Sequence, residues 1–340
     1  MNDPYPSKPI AVLWERVVAG DTSAAFLQAQ GIEVRLGRPN LDPAYRTHRA
    51  QDFIEDLQGA QGVLISGGIR VNADVIRALP DLRVISKIGI GVDTVDVEAA
   101  TAAGIAVCNT PHGNDTVYVA EHAMALLLAL MKQLHVWTRP YMIGGGWRSP
   151  ATFAGTLDGR TVGIIGFGRI GREFARRLSG WNVRILVHDP YAGDLPAGIE
   201  RVSLDELLAA SDAISLHCPP PPDGKPLLDA AALKGLRKGA VLVNTARAAL
   251  IDRHALLAAL DAGEIAGAAI DVFDPEPPAS DDPLLTHPRI LCTPHVASWT
   301  DEAFFGRRRQ AAENLAHALL GRAGASIVNA AQLSARARRV

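Results

Sequence analysis

The chain has 340 residues, 48% of them hydrophobic, with 34 Lys and Arg against 36 Asp and Glu and a formal net charge of −2. That length allows two domains with separate cores, and the balance of charge excludes the profile of a nucleic-acid binder or a disordered chain. Three widely spaced cysteines, Cys108, Cys218 and Cys292, match neither a disulfide framework nor a metal site and fit buried, reduced thiols in a cytoplasmic protein.

From the N-terminus, Met1-Asn-Asp-Pro-Tyr-Pro6 lacks the charged and apolar regions of a signal peptide, so none is expected. Strands are expected over 10–13, 31–36, 62–65 and 82–86, separated by helical patterns around 23–30, 48–57 and 72–79. Such alternation predicts an open α/β sheet. Lys87-Ile-Gly89-Ile-Gly91-Val-Asp93 follows as a glycine-bearing loop whose N–H groups can bind a carboxylate, with Lys87 adding charge. A loop that needs glycine only for its turn, beside a solvated lysine, is the open alternative.

A short strand over 104–109 leads through Thr110-Pro111-His112 to a helix over 116–134 that is apolar nearly all round. Such a helix must be covered on most faces, as it would be between two domains or in a subunit interface. Glu121 and His122 near its start have two readings, a functional role and the plainer one of capping or helix-dipole support. Its run from Ala123 to Met131 is too short to span a membrane. Residues 143–159 are glycine-rich and read as an exposed connection.

Thr161-Val-Gly-Ile-Ile has the continuous apolar character of a strand buried on both faces. Glycines follow at 166, 168 and 171, ahead of a helical stretch. Gly166 suits a tight turn, Gly168 a close approach of pyrophosphate to backbone, and Gly171 close packing of helix on strand. The helix N-terminus offers free N–H groups and the positive end of its dipole. A second strand over 183–187 ends at His188-Asp189, with Asp189 eighteen positions beyond Gly171. That is the place of a carboxylate that accepts from the adenosine ribose hydroxyls. No Arg or Lys adjoins it in the chain to hold a 2′-phosphate, so NAD is expected rather than NADP.

Beyond Asp189 the pattern gives a helix over 205–210, strands over 213–216 and 240–244, a helix over 254–260 and a strand over 265–270. The strand ends are polar: His217-Cys218, Asn244-Thr245-Ala246-Arg247, Asp271 to Glu276, and Thr293-Pro294-His295. Singly, each has a plain reading: Arg247 a solvated cation, Asp271 a cap, Glu276 an exposed loop residue, His295 a satisfied strand-end histidine. Beside a nicotinamide they form a working set. Hydride exchange with a 2-oxo or 2-hydroxy acid needs a fork-shaped cation for the carboxylate and a group that titrates near neutrality at the C2 oxygen. A carboxylate beside the imidazole favours its charged form, which suits Glu276.

These blocks resemble the D-isomer-specific 2-hydroxyacid dehydrogenases. The resemblance rests on Gly166-x-Gly168-x-x-Gly171, residues 244–252, 269–277 and 293–298, with Lys87 to Asp93, Asn109-Thr-Pro111 and Val119-Ala-Glu-His122 in support. It implies an α/β fold of two Rossmann-like, doubly wound parallel-sheet domains. A flavodoxin-like substrate domain would comprise 1–110 and 302–340, an NAD-binding domain 111–301, and the active site would lie in the cleft between them. It also implies homodimers, with the helix 116–134 near the interface.

By the same resemblance, Arg247 would bind substrate, His295 would donate the proton and Glu276 would tune it, with no metal. Asp271 would hold the nicotinamide carboxamide, and Arg169 and Ile170 the pyrophosphate. Cys218 would lie beside the ribose, with Thr116, Thr245, Ala246, Arg247, His295 and Ser298 completing the cofactor contacts. The Ile90–Gly91 backbone would receive the substrate carboxylate, with Lys87 beside it.

Phosphoglycerate dehydrogenases and hydroxypyruvate or glyoxylate reductases are the nearest types. Lys87 stands where the former carry a basic residue, but Ser66 stands where many carry another. The chain ends soon after the helix expected over 301–320, so the serine-binding regulatory domain of some relatives is not expected. Glu276 argues against formate dehydrogenases, which have Gln there. Trp299 and His112 are atypical and bear on substrate size. An NAD-sensing corepressor on the same scaffold is the alternative of another class; it predicts tight NADH binding without turnover. The basic stretches 307–309 and 335–339 read as solvated faces.

Overall fold

The computed structural model describes residues 8–40, 49–66, 69–111, 115–148 and 153–337. His112 and the basic residues Arg338 and Arg339 lie outside them. The chain divides into two compact units, Met1–Gly113 with Thr300–Val340, and Asn114–Trp299. Among the described residues, no helix is long and apolar enough to cross a membrane.

The first unit is built on a parallel sheet of β1 (Ile10–Trp14), β2 (Glu33–Leu36), β3 (Gly62–Ile65), β4 (Val84–Lys87) and β5 (Ala106–Cys108). Its order, β2-β1-β3-β4-β5, is the flavodoxin-like one. Successive strand residues point to opposite faces, which sorts the core in two. Val12, Val63, Ile65, Ile85 and Val107 pack with Phe53 and Leu57 on one side. On the other, Ala11, Leu13, Leu64 and Val84 pack against Ala311, Ala312, Leu315 and Ala316 of the helix Asp301–Leu319. Small alanines let that helix approach closely, and Ser86 Oγ donates to the Ala311 carbonyl at 2.8 Å.

The second unit holds seven parallel strands: β6 (Thr161–Ile165), β7 (Arg184–His188), β8 (Ile199–Arg201), β9 (Ala213–Leu216), β10 (Ala240–Asn244), β11 (Ile265–Ile270) and β12 (Ile290–Cys292). The order is β12-β11-β10-β9-β6-β7-β8. The chain steps outward from β6 through β7 and β8, then returns to the other side of β6 as β9. Ligands of open α/β sheets bind at the carboxyl ends beside such a reversal. The helix Asp115–Met131 covers one face of this sheet, burying Ala120, Ala123, Leu127 and Leu130 against Val162, Ile164, Val241 and Val243. Several short elements lie outside the sequence reading, among them the helices Val97–Ala102, Ala230–Lys234 and Ala330–Ala337, the helix Arg139–Ile143 that ends where the expected connection begins, and edge strand β8 with its exposed Glu200 and Arg201.

Candidate active site

Register places three polar loops side by side in the second unit. Asn244 at the end of β10 pairs with Ile270, which pairs with Cys292 of β12, so Thr245–Arg247, Asp271 and Thr293–His295 leave one edge together. Asn244 shapes the first loop: its Oδ1 accepts from Ala246 N–H at 3.0 Å and its Nδ2 donates to the Arg247 carbonyl at 2.8 Å. The exposed Arg247 guanidinium donates to the Ala246 carbonyl at 2.8 Å and is near enough for its charge to act on His295.

His295 Nδ1 lies 2.7 Å from Glu276 Oε2, with the two side chains 51% and 38% exposed. Glu276 Oε1 accepts from Phe273 N–H at 3.0 Å, which fixes the carboxylate before it meets the ring. The hydrogen bond to Glu276 raises the His295 pKa above the ordinary histidine value, against burial and the Arg247 charge. Burial works against the charge on Glu276, yet its hydrogen bonds from His295 and Phe273 hold its carboxyl below the usual range. A carboxylate only accepts, so Nδ1 carries the ring hydrogen and Nε2 is the nitrogen left for a substrate.

The backbone of His295 is left-handed, with φ at +53°. For a residue with a Cβ this costs about 1–2 kcal/mol, so its surroundings must hold it there. Asp271 is fully buried behind it. Its Oδ1 accepts from Thr293 Oγ1 at 2.6 Å and Val296 N–H at 2.9 Å, and its Oδ2 from Ala297 N–H at 3.0 Å. His122, whose plainer reading from sequence is capping or dipole support, instead sets its Nε2 at 3.1 Å from Thr293 Oγ1 and 3.6 Å from Asp271 Oδ1. Thr293 and His122 are thus site residues that the sequence did not single out in this role.

On the cofactor side, Gly166 has φ +91°, and a Cβ there would sit 2.6 Å from the His217 carbonyl carbon. At Gly171 a Cβ would overlap the Gly166 carbonyl oxygen, whereas at Gly168 it would meet no protein atom within 4 Å. Gly168 faces open space, as many surface glycines of the chain do, and so leaves room beside the helix start for a ligand. Arg169 and Ile170 begin the helix Arg169–Leu178 directly beyond it. Asp189 accepts from Phe167 N–H at 2.7 Å and Tyr191 N–H at 2.8 Å. Burial opposes its charge, but the backbone N–H groups of Phe167, Tyr191 and Ala192 together hold its carboxyl below the usual value.

The fold brings Arg201 beside this strand end, a cation that chain adjacency did not show. Its guanidinium is engaged by the carbonyls of Asp189, Ala192 and Gly193 at 2.9, 2.8 and 2.5 Å. Cys218 is half-buried, and burial pushes its thiol up to about 11, leaving a neutral group rather than a nucleophile. Cys292 is likewise half-buried, and only Cys108 is fully buried as expected of all three. Among the described residues, buried Thr245 Oγ1 has no hydrogen-bond partner, an orphan that a bound dinucleotide would satisfy. Ala246, Ser298 and Thr116 are half-buried. The open space at Gly168, the exposed helix start and the acceptor Asp189 fit NAD.

In the first unit, Lys87 is buried at the end of β4, and Ile90 is 48% exposed. Asn109 Nδ2 donates to the Ile90 carbonyl at 2.8 Å. Because a trans peptide sets C=O and the next N–H in opposite directions, this bond turns the Gly91 N–H away from Asn109.

Comparison with known proteins bears on the fold and the family. Residues 124–297 match the family described as D-isomer specific 2-hydroxyacid dehydrogenase, NAD binding domain. The chain is 38% identical over 275 residues to a D-3-phosphoglycerate dehydrogenase of Mycobacterium bovis, an alignment covering 77% of this chain and 50% of that one. It spans about half the length of the curated relatives it matches. Among solved structures, a protein of Thermus thermophilus superposes with a TM-score of 0.84 at 34% identity, covering 94% of this chain and 99% of that one. A glyoxylate reductase from Paecilomyes thermophila does so with a TM-score of 0.79 at 28% identity, covering 95% and 99%. The chain belongs to the D-isomer specific 2-hydroxyacid dehydrogenases, and residues 124–297 are its match to their NAD-binding domain.

Proposed function

We propose that the protein is an NAD-dependent oxidoreductase that interconverts a 2-oxo acid and the corresponding D-2-hydroxy acid. The observation that carries this reading is the 2.7 Å pair of His295 Nδ1 and Glu276 Oε2 on the strand edge that also presents Arg247. Gly166–Gly171 would hold NAD, which when bound would supply or accept the hydride at C2 of the acid. Arg247 binds the substrate carboxylate and polarises the C2 oxygen. In reduction, His295 donates its Nε2 proton to that oxygen while Glu276 stabilises the imidazolium; in oxidation, neutral Nε2 accepts it. Asp189 would accept from the ribose hydroxyls of NAD. In the first unit, Lys87 and the Ile90–Gly91 peptide are given to the substrate.

The first substrate candidate is 3-phosphohydroxypyruvate, supported by the phosphoglycerate dehydrogenase relatives and by Lys87 at the end of β4. Ser66 in place of a second cation favours a second reading, an unphosphorylated acid such as hydroxypyruvate or glyoxylate. A homodimer belongs to the same proposal, supported by exposed Leu134, Met142, Ile143, Trp147 and Phe153. With a net charge of −2 the chain lacks the basic excess that would favour nucleic acid as partner, and the three free cysteines support a cytoplasmic location. Steady-state oxidation of NADH with 3-phosphohydroxypyruvate, hydroxypyruvate, glyoxylate and pyruvate tests the reading. The expected result is turnover with at least one of them and a clear rank in kcat/KM. Tight NADH binding with no turnover on any acid would overturn it in favour of an NAD-sensing module.

A further inference from the structure

Behind His295, hydrogen-bond chemistry fixes a direction. Burial opposes the charge on Asp271, yet His122, Thr293 and the N–H groups of Val296 and Ala297 together hold its carboxyl below the usual range. As a carboxylate it only accepts, so Thr293 Oγ1, 2.6 Å away, commits its single hydrogen to Asp271. The Thr293 oxygen must then accept from His122 Nε2 at 3.1 Å, so that nitrogen carries the His122 ring hydrogen. The chain of bonds runs His122 to Thr293 to Asp271, and Asp271 in turn clamps the N–H groups of Val296 and Ala297. His295 lies inside that clamp, in left-handed backbone, with its N–H on the Thr293 carbonyl at 3.0 Å.

We infer that His122 and Thr293 are positioning residues for proton transfer. With Asp271 they hold the turn that keeps His295 Nδ1 on Glu276 and leaves Nε2 to the substrate. The inference rests on the proposed role of His295, but the geometry it asserts does not depend on turnover. Simple packing of the helix Asp115–Met131 on this turn would need no hydroxyl opposite His122. Here the hydroxyl joins the two, since His122 Nε2 is 3.1 Å from Thr293 Oγ1 but 3.6 Å from Asp271 Oδ1. The charged groups that act on the His295 imidazole are Glu276, Asp271 and Arg247, so a displaced ring loses its hold on Glu276 first.

The test is Thr293→Val, which keeps the shape and removes both hydrogen bonds, with Thr293→Ser as the conservative control. The His295 ring is titrated by long-range proton–nitrogen NMR, and kcat and KM are measured with NADH and a 2-oxo acid. In Thr293→Val the ring is expected to titrate at lower pH than in the wild type, with kcat reduced roughly 100-fold and KM little changed. Thr293→Ser restores both. Wild-type titration and kcat in Thr293→Val, or a loss that Thr293→Ser does not restore, would overturn the inference. If Thr293→Val does not fold, His122→Phe against His122→Gln carries the same comparison, since Gln keeps an N–H near the Nε2 position. If the wild type reduces no 2-oxo acid, the proposed function fails while the ring titration still decides the positioning role.

Discussion

Glu276 meets His295 with a carboxylate already held from behind: Oε1 accepts the Phe273 N–H at 3.0 Å while Oε2 takes Nδ1 at 2.7 Å. A fixed carboxylate on one ring nitrogen sets the tautomer and raises the affinity of the ring for its second proton.

The pH dependence follows in sign. The His295 pKa lies above the ordinary histidine value, chiefly through the Glu276 hydrogen bond. Reduction needs the imidazolium, so its kcat/KM is full below that pKa and is lost as pH rises through it. Oxidation needs the neutral ring and shows the opposite limb. In Glu276→Gln the support for the imidazolium goes, and the fall of the reduction limb moves to lower pH. A pH–rate profile of both forms checks this; coincident limbs would count against the pair.

Arg247→Lys keeps the charge and loses the fork. We expect kcat/KM for the 2-oxo acid to fall on the order of 100-fold, with NADH affinity retained. Steady-state kinetics and fluorescence titration of NADH separate the two. A change confined to NADH affinity would place Arg247 outside the substrate site.

Two glycines make opposite predictions. A Cβ at Gly168 meets no protein atom within 4 Å, while at Gly171 it overlaps the Gly166 carbonyl oxygen. Gly168→Ala should leave Tm unchanged and weaken NADH binding; Gly171→Ala should lower stability by about 1–3 kcal/mol as helix and turn shift. Thermal melts with and without NADH distinguish them. Wild-type NADH affinity in a stable Gly168→Ala would remove the pyrophosphate from this turn.

Asp189→Asn should reduce NADH affinity roughly tenfold and narrow its lead over NADPH, since the charge-assisted hydrogen bonds to the ribose weaken. Arg201 stays on the carbonyls of Asp189, Ala192 and Gly193 and gives no new phosphate site. Titration with both dinucleotides reads the ratio; an unchanged ratio would mean that Asp189 serves the turn alone.

Much of the fold was legible because strands such as β6, β9 and β10 are buried nearly throughout and so read as continuous apolar runs. Strand β8 was not, because an edge strand with exposed Glu200 and Arg201 carries no apolar period. The chemistry-bearing types, Arg247, Glu276 and His295, stood out at strand ends, but composition cannot reveal a left-handed turn at a histidine. His122 and Thr293 are 171 residues apart, and neither local pattern nor charge hints that they meet. Chain adjacency likewise hid Arg201, which reaches Asp189 only through the pairing of β7 with β8.

Reduction of a 2-oxo acid with NADH deuterated at the transferred position, read by deuterium at C2 and the configuration of the product, decides whether hydride passes directly to one face of the acid. The expected product is a D-2-hydroxy acid carrying deuterium, with the yield collapsing in His295→Gln while NADH still binds. An L product, or no transfer of deuterium to any 2-oxo acid, would contradict the proposed function.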